Sequence, residues 1–372
     1  MDLLLRALSE RGDSIDLLTF HEGRNQKYER LQIFRIKPPL RISSVRPGPS
    51  WKKLICDAYL FFRFLSLMRR NEYDIVHAVE ETAFMAMLVC PFFSTPYVYD
   101  MDSSMTTQIV DKYPILRPFE RFLRFFESLP IRHAQAVVPM CDALAQDALR
   151  YRPRDVVVLH DVSLVSEIPD SEPVLSPRDE LGFSGKIAMY IGNLESYQGI
   201  DLLLESFALV QAASSDVALV IIGGDQSDIE KYRTVSVSLG IAEQVYFLGK
   251  RPVSQIAQHM AHADILVSPR TRGVNTPMKI YSYLDSGKPV LATDLPTHRQ
   301  VMSNDIAMLA QPDRESFAMG MLKLLEDTRL RTRLAQNAKA YIQREHSYPA
   351  FKEKLYDLYA RLDRQLVHDR AT

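Results

Sequence analysis

The chain has 372 residues, of which 47% are hydrophobic and 24% charged, and its 45 basic and 46 acidic side chains leave a net charge of −1. This composition excludes fibrous and disordered chains, and the length predicts two domains, each with its own core. The balanced charge disfavours a nucleic-acid partner, and the three scattered cysteines, Cys56, Cys90 and Cys141, exclude a disulfide framework and a structural zinc site.

The amino terminus lacks the basic-then-apolar pattern of a secretion signal, so we expect a cytoplasmic protein. Residues 2–10 have the spacing of an amphipathic helix, and this helix leads directly into the apolar run at 15–20. An α/β domain normally opens on a strand and a turn instead. We therefore expect a first strand and its glycine loop to be missing from this chain.

Short apolar runs alternate with stretches of helical periodicity along most of the chain. This alternation predicts an α/β protein with parallel sheets. The predicted strands are 15–20, 31–36, 75–78, 97–99, 136–139, 156–159, 187–191, 217–222, 245–248, 265–268 and 290–293.

Two helical segments in the first half raise the question of membrane contact. Residues 51–70 are basic at both ends and rich in aromatics, so they predict a helix that packs on the sheet or lies on an anionic membrane, and we favour packing. Residues 82–99 carry no charge over 18 positions, near the lower limit for a membrane span. Because Pro91 and Pro96 interrupt them, we predict a helix, a short turn and a buried strand.

The first segment with a chemical signature is YIGNLESYQGIDLLLESF, residues 190–207. A strand ends at Gly192, a polar loop follows, and Gly199 leads into a helix. This arrangement presents unpaired backbone N–H groups to an anion. An ordinary turn between a strand and a helix explains the same residues, and taken alone this segment favours that interpretation.

A second segment, residues 268–294, adds cations to the pattern. Thr276 is suited to cap a helix, Pro277 to begin it and Gly287 to end it, so we predict a helix over 277–286. A cluster of cations and an amide at the start of a helix suits a diphosphate, although the alternative is that these side chains are simply solvated. Its members are Arg270, Arg272, Asn275 and, in the predicted first turn, Lys279.

These segments resemble the family-4 retaining glycosyltransferases. The motifs YIGNLESYQG, LVIIGG, VYFLGK, HADILVSPR and NTPMKIYSYLDSGKPVLATD occur in the family's order, and YDIVHAVEE, YVYDMDSS and HAQAVVPMCDAL match less closely. The resemblance implies the α/β GT-B fold, two Rossmann-like parallel-sheet domains facing each other across a cleft. The expected division is an acceptor-side domain at 1–165, a linker at 166–184, a nucleotide-sugar donor domain at 185–345 and a C-terminal helix at 346–372 that returns to the first domain.

The resemblance also assigns donor-binding positions. The family's diphosphate-binding arginine and lysine fall on Asn193 and Gln198, and its two glutamates fall on Val274 and Ser282, so all four charges are lost. We expect the neighbouring cations to replace the diphosphate contacts and Ser282 to keep one hydrogen bond to the donor ribose. The predicted donor-binding set is Gly192, Asn193, Gln198, Gly199, Arg270, Arg272, Asn275, Thr276, Lys279 and Ser282.

In the first half, Asp102 occupies the place of a histidine that in the family lines the sugar and acceptor site. His77 and Glu80 follow the preceding strand and are expected to face the same cleft. A partly buried histidine bonded to backbone is the alternative for His77. The catalytic candidates are Asp102, His77 and Glu80.

The predicted function is sugar transfer, with retention, from a UDP- or GDP-linked donor to the hydroxyl of a glycan or lipid-linked acceptor, in glycan, polysaccharide or glycolipid biosynthesis. No metal and no further cofactor is expected, because helix ends and arginines can neutralise the diphosphate. The alternative is a non-catalytic nucleotide-sugar or glycan-binding relative, favoured by the lost charges. A nucleotide-sugar epimerase shares the fold, but the expected acid and base residues are not recognisable.

Overall fold

The computed structural model describes residues 1–23, 25–37, 42, 50–165, 174, 176–273 and 275–371. These residues form two compact units, which we call unit 1 (Met1–His160 with Lys352–Thr372) and unit 2 (Asp161–Phe351). Both units combine helices with strands, and every pair of neighbouring strands is parallel. The predicted α/β class with parallel sheets is confirmed.

Unit 1 contains two separate sheets. The first pairs β1 (Ile15–Thr19) with β2 (Leu31–Arg35), and the second has the order β3 (Val76–Val79), β4 (Tyr97–Met101), β5 (Ala136–Pro139). Its first six helices are α1 (Asp2–Arg11), α2 (Trp51–Arg70), α3 (Thr82–Val89), α4 (Met105–Lys112), α5 (Glu120–His133) and α6 (Asp142–Leu149).

Unit 2 has one six-stranded sheet with the order β11-β10-β9-β6-β7-β8. Its strands are β6 (Lys186–Ile191), β7 (Val217–Ile222), β8 (Val245–Gly249), β9 (Ile265–Ser268), β10 (Val290–Thr293) and β11 (Met308–Ala310). The remaining helices are α7 (Pro177–Leu181), α8 (Ile200–Ala213), α9 (Gln226–Ser238), α10 (Ile256–Ala261), α11 (Lys279–Asp285), α12 (Pro296–Arg299), α13 (Arg314–Glu326), α14 (Thr328–Glu345) and α15 (Tyr348–Ala371), and α15 continues into unit 1.

Strand β6 shows why unit 2 has a deep core. Ala188 and Tyr190 pack on one face of the sheet with α8 and α13, whereas Ile187 and Met189 pack on the other face with α11 and α14. Both faces of the strand are buried, as expected for a parallel sheet with helices on each side. The carboxyl ends of β6 and β9 are thereby held firmly, and the loops that follow them form the site described below.

The uncharged stretch at 82–99 divides as the prolines predict. Helix α3 ends at Val89, a 3₁₀ turn covers Cys90–Phe93, and β4 begins at Tyr97. Among the residues that the structure describes, no helix is long and apolar enough to cross a membrane.

Three details differ from the sequence predictions. Residues 156–159 lie beside β5, where the Val157 N–H donates to the Val137 carbonyl (3.0 Å), but only a single bridge forms, at Val156. The three-residue strand β11 is too short for its own periodicity and was not predicted. The helix expected at 277–286 begins at Lys279, while its end agrees with prediction, because Gly287 takes the left-handed conformation (φ 73°) that stops a helix.

Candidate functional site

Two glycine contacts hold the loops at the carboxyl edge of the sheet in unit 2. A Cβ atom on Gly199 (φ 75°) would lie 2.0 Å from the Pro269 carbonyl oxygen, and one on Gly223 would lie 2.0 Å from the Gly192 oxygen. Only glycine allows these backbones to approach so closely. The loop after β6 therefore packs directly against the loops that follow β7 and β9.

Two buried tyrosines fix the end of β6. The Tyr190 hydroxyl donates to the Asn193 carbonyl at 2.6 Å. The Tyr283 hydroxyl, from α11, accepts from the Ile191 N–H at 2.6 Å and donates to the Ile191 oxygen at 3.1 Å. Neither tyrosine was predicted as a site residue, although Tyr283 follows Lys279 by one helical turn and so shares its face of α11.

Lys279 is the central cation of this edge. Its side chain is partly buried, and its Nζ donates to Oε1 of the buried Gln198 at 3.0 Å and lies 4.0 Å from the centre of the Tyr190 ring. A Cβ atom on Gly192 would lie 3.2 Å from the same Nζ, so the ammonium lies against the glycine loop. In the described part of the chain, no carboxylate forms an ion pair with Lys279.

Burial lowers the pKa of Lys279 well below its ordinary value, and the charge of Arg270 lowers it further. A buried ammonium without a counterion is costly, and an anion that enters the site restores the charged form. The predicted first-turn position suggested a solvent-facing lysine as the alternative. The structure instead points this lysine into the protein.

Arg270 is a second, partly buried cation on the same edge. Its guanidinium lies 5.2 Å from the centre of the Tyr197 ring, its Nε donates to the Arg272 carbonyl at 2.6 Å, and burial lowers its pKa. Within the described ranges it too lacks an ion-pair partner. Lys279 and Arg270 together give this edge a positive potential that suits the oxygens of a diphosphate.

A buried histidine positions the Arg270 loop. His298 Nδ1 donates to the Thr293 carbonyl at 2.8 Å, its Nε2 accepts from the Ser268 hydroxyl at 3.0 Å, and the Thr293 hydroxyl donates to the Arg270 carbonyl at 2.5 Å. Burial lowers the pKa of His298 to about 4, so the ring is neutral at physiological pH. No sequence motif indicated His298.

The other predicted donor-binding residues are less central. Arg272 is exposed, and Asn275 uses its carbonyl to accept from the Thr297 hydroxyl at 2.5 Å. Thr276 is buried and does not cap α11, and its Oγ1 has no partner among the described residues. Ser282 Oγ accepts from the Leu164 N–H at 3.3 Å, and Val274 lies outside the described residues. Helix α11 has seven residues, and the side chains of Lys279 and Arg270 supply positive charge beside it.

The three catalytic candidates line one cleft inside unit 1. His77 Nδ1 lies 2.9 Å from the Tyr359 hydroxyl and its Nε2 lies 3.2 Å from Asp100 Oδ2, so its partners are side chains and not backbone as the alternative supposed. Glu80 accepts from the Ser103 hydroxyl at 2.9 Å. Burial raises the pKa of Glu80 to about 7; the hydrogen bond from Ser103 lowers this pKa, and the negative charge of Asp102, after β4, raises it.

Glu80 also has a left-handed backbone (φ 52°), which is uncommon for a residue with a side chain. Such conformations concentrate at functional sites. The structure thus brings together a carboxyl group that titrates near neutrality and a second carboxylate, each at the carboxyl end of a parallel strand. Their catalytic roles stay predictions.

Two family patterns match the two halves of the chain. Residues 1–161 match Glycosyltransferase Family 4, and residues 178–341 match Glycosyl transferases group 1. This chain is a family-4 glycosyltransferase. The predicted family and enzyme class are confirmed.

Curated relatives cover most of this glycosyltransferase. It is 23% identical over 365 residues to the D-inositol 3-phosphate glycosyltransferase of Jonesia denitrificans, with 91% of this chain and 85% of the relative covered. It is 24% identical over 283 residues to the phosphatidyl-myo-inositol mannosyltransferase of Mycolicibacterium smegmatis, with 74% and 68% covered.

Solved structures show the same fold. Sucrose-phosphate synthase from Thermosynechococcus elongatus matches with a TM-score of 0.76 at 17% identity, over 97% of this chain and 92% of that one. HepE from Anabaena, in complex with UDP and glucose, matches with a TM-score of 0.72 at 17% identity, over 96% and 95%. The predicted GT-B fold of this glycosyltransferase is confirmed.

Proposed function

We propose that this glycosyltransferase takes a sugar from a UDP- or GDP-linked donor and transfers it, with retention, to a hydroxyl of a glycan or lipid-linked acceptor. The observation that carries the proposal is the pair of partly buried cations, Lys279 and Arg270, at the edge that carries the Gly192 loop, with no carboxylate to neutralise them in the described ranges. The bound UDP named for HepE and the inositol lipids named for the relatives support the same substrate classes.

The site suits the chemistry of a departing nucleoside diphosphate. When the bond between the sugar and the diphosphate breaks, negative charge grows on the phosphate oxygen that leaves. Lys279 and Arg270 are fixed by Gln198, Tyr190 and Tyr197 before the substrate arrives. Preorganised charges of this kind stabilise the transition state without reorganising during the reaction. We propose that they perform this task without a required metal ion.

The donor proposal is tested by calorimetry with UDP, GDP and UMP, each with and without EDTA. We expect a diphosphate to bind at least about tenfold more tightly than UMP, since one charge-assisted contact contributes about 1.5 kcal/mol or more. EDTA should leave the difference unchanged. Equal affinity for UDP and UMP, or a loss that manganese restores, would contradict the proposal.

Retention and the acceptor class need a turnover assay. NMR of the anomeric proton in the first product formed should show the same configuration as in the donor. Inversion of that configuration would contradict retention. Inositol, inositol phosphate and inositol-lipid acceptors form a matched series for the acceptor class.

Membrane contact through residues 51–70 stays a prediction, because α2 has another use for its apolar side chains. Leu60 and Leu67 are buried, and the exposed Trp51 and Leu54 line the cleft of unit 1. Among the described aromatic residues of α2, Tyr59 and Phe62 are exposed and do not line this cleft.

We propose that a different surface of unit 1, residues 113–126, contacts an anionic membrane. Phe122 and Phe125 are 61% and 56% exposed on α5, and Ile115 and Phe119 are exposed on the preceding 3₁₀ turn, Pro114–Phe119. Arginines accompany these aromatic side chains, with Arg117 and Arg121 both exposed. Exposed aromatic and basic side chains on one short segment suit the interface of an anionic bilayer.

Vesicle sedimentation tests both membrane surfaces. The double variant Phe122→Ser/Phe125→Ser should lose binding to phosphatidylglycerol vesicles, and Phe62→Ser, on α2, should keep it. Phosphatidylcholine vesicles should bind neither protein strongly. The reverse result for the two variants would assign the contact to α2.

A further inference from the structure

Glu127, on α5, is a buried acid that lies outside the cleft lined by Glu80 and Asp102. The residue is 3% exposed and is not among those that line this cleft. Within the described ranges, no cation forms an ion pair with it. A buried carboxylate without a counterion is costly unless hydrogen bonds compensate it. The groups that supply these hydrogen bonds therefore indicate what Glu127 does.

Both hydrogen-bond partners of Glu127 lie at the start of α4. The Ser104 hydroxyl donates to Oε2 at 3.2 Å, and the Thr106 N–H donates to Oε1 at 3.4 Å. Ser104 Oγ in turn accepts from the Thr107 N–H at 3.3 Å. The first N–H groups of a helix have no partner inside the helix, and here Ser104 and Glu127 each satisfy one of them. Glu127 thus joins α5 to the first turn of α4.

A second pair of hydrogen bonds continues from α4 to the cleft. Gln108, in the first turn of α4, donates through Nε2 to Ser103 Oγ at 2.7 Å. The Ser103 hydroxyl donates to the Glu80 carboxylate, at 2.9 Å from Oε1 and 3.1 Å from Oε2. Because Ser103 directly follows Asp102, one turn, residues 102–106, carries both Asp102 and the hydroxyl that reaches Glu80.

The hydrogen-bonding groups of this turn are shielded from water. Ser103, Ser104 and Thr106 are all buried. A buried polar group that loses its partner stays unpaired, so these hydrogen bonds are not easily exchanged for bonds to water. A buried network whose groups are paired in this way holds one geometry. Glu127 therefore restricts the turn at 102–106 from behind, on the side away from the cleft lining.

We propose that Glu127 is a positioning residue for sugar transfer, which fixes the turn at 102–106 and, through Ser103, orients the carboxyl group of Glu80. This inference rests on the proposed function, in which Glu80 and Asp102 are the catalytic candidates. A carboxylate suits the task because its two oxygens accept both hydrogen bonds at once. An amide in its place keeps a single acceptor oxygen and presents an NH₂ group to the second donor.

The direct test measures the pKa of Glu80 in the full chain with and without Glu127. Carbon-13 NMR of protein labelled at the glutamate carboxyl carbon follows the titration, and Glu80→Gln identifies the Glu80 signal. The variants are Glu127→Ala, Glu127→Gln and Gln108→Ala. Glu120→Ala is the matched control, because Glu120 lies on the same helix but pairs with Arg124.

We expect Glu127→Ala to raise the pKa of Glu80, with an ionisation constant at least about threefold lower. Burial holds this pKa high, and the Ser103 hydrogen bond lowers it only while the serine keeps its orientation. Loss of the Glu127 charge alone would lower the pKa of Glu80 instead, because a nearby negative charge opposes ionisation. The sign of the change therefore separates positioning from the simple removal of a charge.

The other variants sharpen this result. Glu127→Gln and Gln108→Ala should raise the pKa of Glu80 by less than Glu127→Ala does, and Glu120→Ala should leave it unchanged. An unchanged or lower pKa of Glu80 in Glu127→Ala would overturn the proposal. If Glu127→Ala does not fold, Gln108→Ala decides, since Gln108 is exposed and its replacement leaves the buried carboxylate in place. An unchanged pKa of Glu80 in that variant would overturn the proposal as well.

Turnover separates this inference from the proposed function. Glu80→Gln and Glu127→Ala should both lower kcat, and neither should change the UDP affinity of unit 2. A lower kcat in Glu80→Gln, with kcat and the pKa of Glu80 both unchanged in Glu127→Ala, would overturn the inference and leave the proposed function intact. Full activity in Glu80→Gln would contradict the catalytic role of Glu80, whereas a raised pKa of Glu80 in Glu127→Ala would still support the positioning of its carboxyl group.

Discussion

The two units of this glycosyltransferase are built from the same alternation of strands and helices, but they differ at the centre of the sheet. In unit 2, β6 lies inside a continuous sheet, between β7 and β9, and its end is fixed by Tyr190 and Tyr283. In unit 1, the sheet is interrupted between β1 and β3. A strand paired on both sides gives the following loop a fixed position. Asp102 follows such a strand, β4, whereas Glu80 follows β3, which among the described residues pairs only with β4.

The comparison has a chemical side as well. Unit 2 holds two partly buried cations without carboxylate partners in the described ranges, whereas unit 1 holds the Glu80 carboxyl group, whose ionisation is opposed by burial. The first arrangement suits an anionic donor, and the second suits proton transfer near neutral pH. Substitutions in each unit should therefore change different observables.

The largest expected effect is that of Lys279→Met on nucleotide binding. Loss of a partly buried charge that contacts the diphosphate costs about 2 to 5 kcal/mol, so the UDP affinity should fall at least about 30-fold. The Tm of the free protein should rise, because the variant removes a partly buried ammonium without a counterion.

Lys288→Met is the matched control, since Lys288 is a half-buried lysine that precedes β10 at the opposite edge of the sheet. It should leave UDP binding unchanged. Affinity in the unmodified protein should also decline as pH rises, because the lowered pKa of Lys279 makes the ammonium easier to deprotonate. An unchanged affinity with a lower Tm in Lys279→Met would show that the lysine is structural.

The second prediction concerns the pH dependence of stability in unit 2. His298 has a pKa of about 4 in the folded protein against an ordinary 6.5, so the unfolded chain binds a proton that the folded protein refuses. The free energy of unfolding should therefore fall by about 3 kcal/mol as pH decreases from 6.5 to 4. Above pH 7 this histidine should not affect stability.

Urea unfolding of His298→Gln across this pH range tests the assignment. In this variant the free energy of unfolding should depend less steeply on pH, because the His298 contribution is gone. The control His133→Gln, at an exposed histidine on α5, should keep the full pH dependence. If both variants retain the full slope between pH 6.5 and 4, other groups cause the acid sensitivity.

Much of unit 2 could be predicted from the sequence, because local signals and packing agree there. The apolar run at 187–191 and the glycines at 192 and 199 are where the strand and loop require them. The orientation of Lys279 could not be predicted. Thr276 followed by Pro277 predicts an earlier helix start, but Thr276 is buried and its neighbour Asn275 is bonded to Thr297, so the helix begins only after this packed turn.

Unit 1 shows a different limit of prediction. The expectation of a missing first strand came from the helix at 2–10, and it stays a prediction. The sequence could not show that Tyr359, 282 positions from His77, contacts that histidine, because this contact depends on α15 packing in unit 1. Local periodicity carries no information about such distant partners.

The third prediction concerns Glu80. Its raised pKa of about 7 means that the folded protein resists ionisation of this carboxyl group, while the unfolded chain ionises near pH 4.5. The loss of folding stability caused by this carboxyl group grows as pH rises from 4.5 to 7 and reaches its full size above pH 7. Glu80→Gln should thus increase the free energy of unfolding at pH 8 by about 1 to 2 kcal/mol, which raises the Tm by a few degrees. The same variant should have little effect at pH 4.

The control variant Glu29→Gln, at an exposed carboxyl group of unit 1, should change the Tm neither at pH 8 nor at pH 4. Turnover adds a second observable for the same pair of variants. If Glu80 takes part in catalysis, Glu80→Gln should lower kcat while the UDP affinity of unit 2 stays constant. Full activity together with the higher Tm would restrict Glu80 to a structural role.

The smallest expected effects are those of Arg272→Ala and Ser282→Ala on UDP binding. Arg272 is exposed, so its attraction to a diphosphate is screened by water and salt, and its loss should cost about 0.2 to 1 kcal/mol, or up to about fivefold in affinity. Ser282 Oγ is already bonded to the Leu164 N–H at 3.3 Å, so its removal should weaken UDP binding less than the removal of Arg272 does.

Titrations at about 50 and 500 mM salt separate these contributions. The effect of Arg272→Ala should shrink at high salt, whereas that of Lys279→Met should persist, because a buried charge is screened far less than an exposed one. A loss in Ser282→Ala larger than in Arg272→Ala would mean that the serine keeps the ribose contact implied by the family resemblance. In that case the Leu164 bond must break when the donor binds, and hydrogen exchange at Leu164 should accelerate with UDP present.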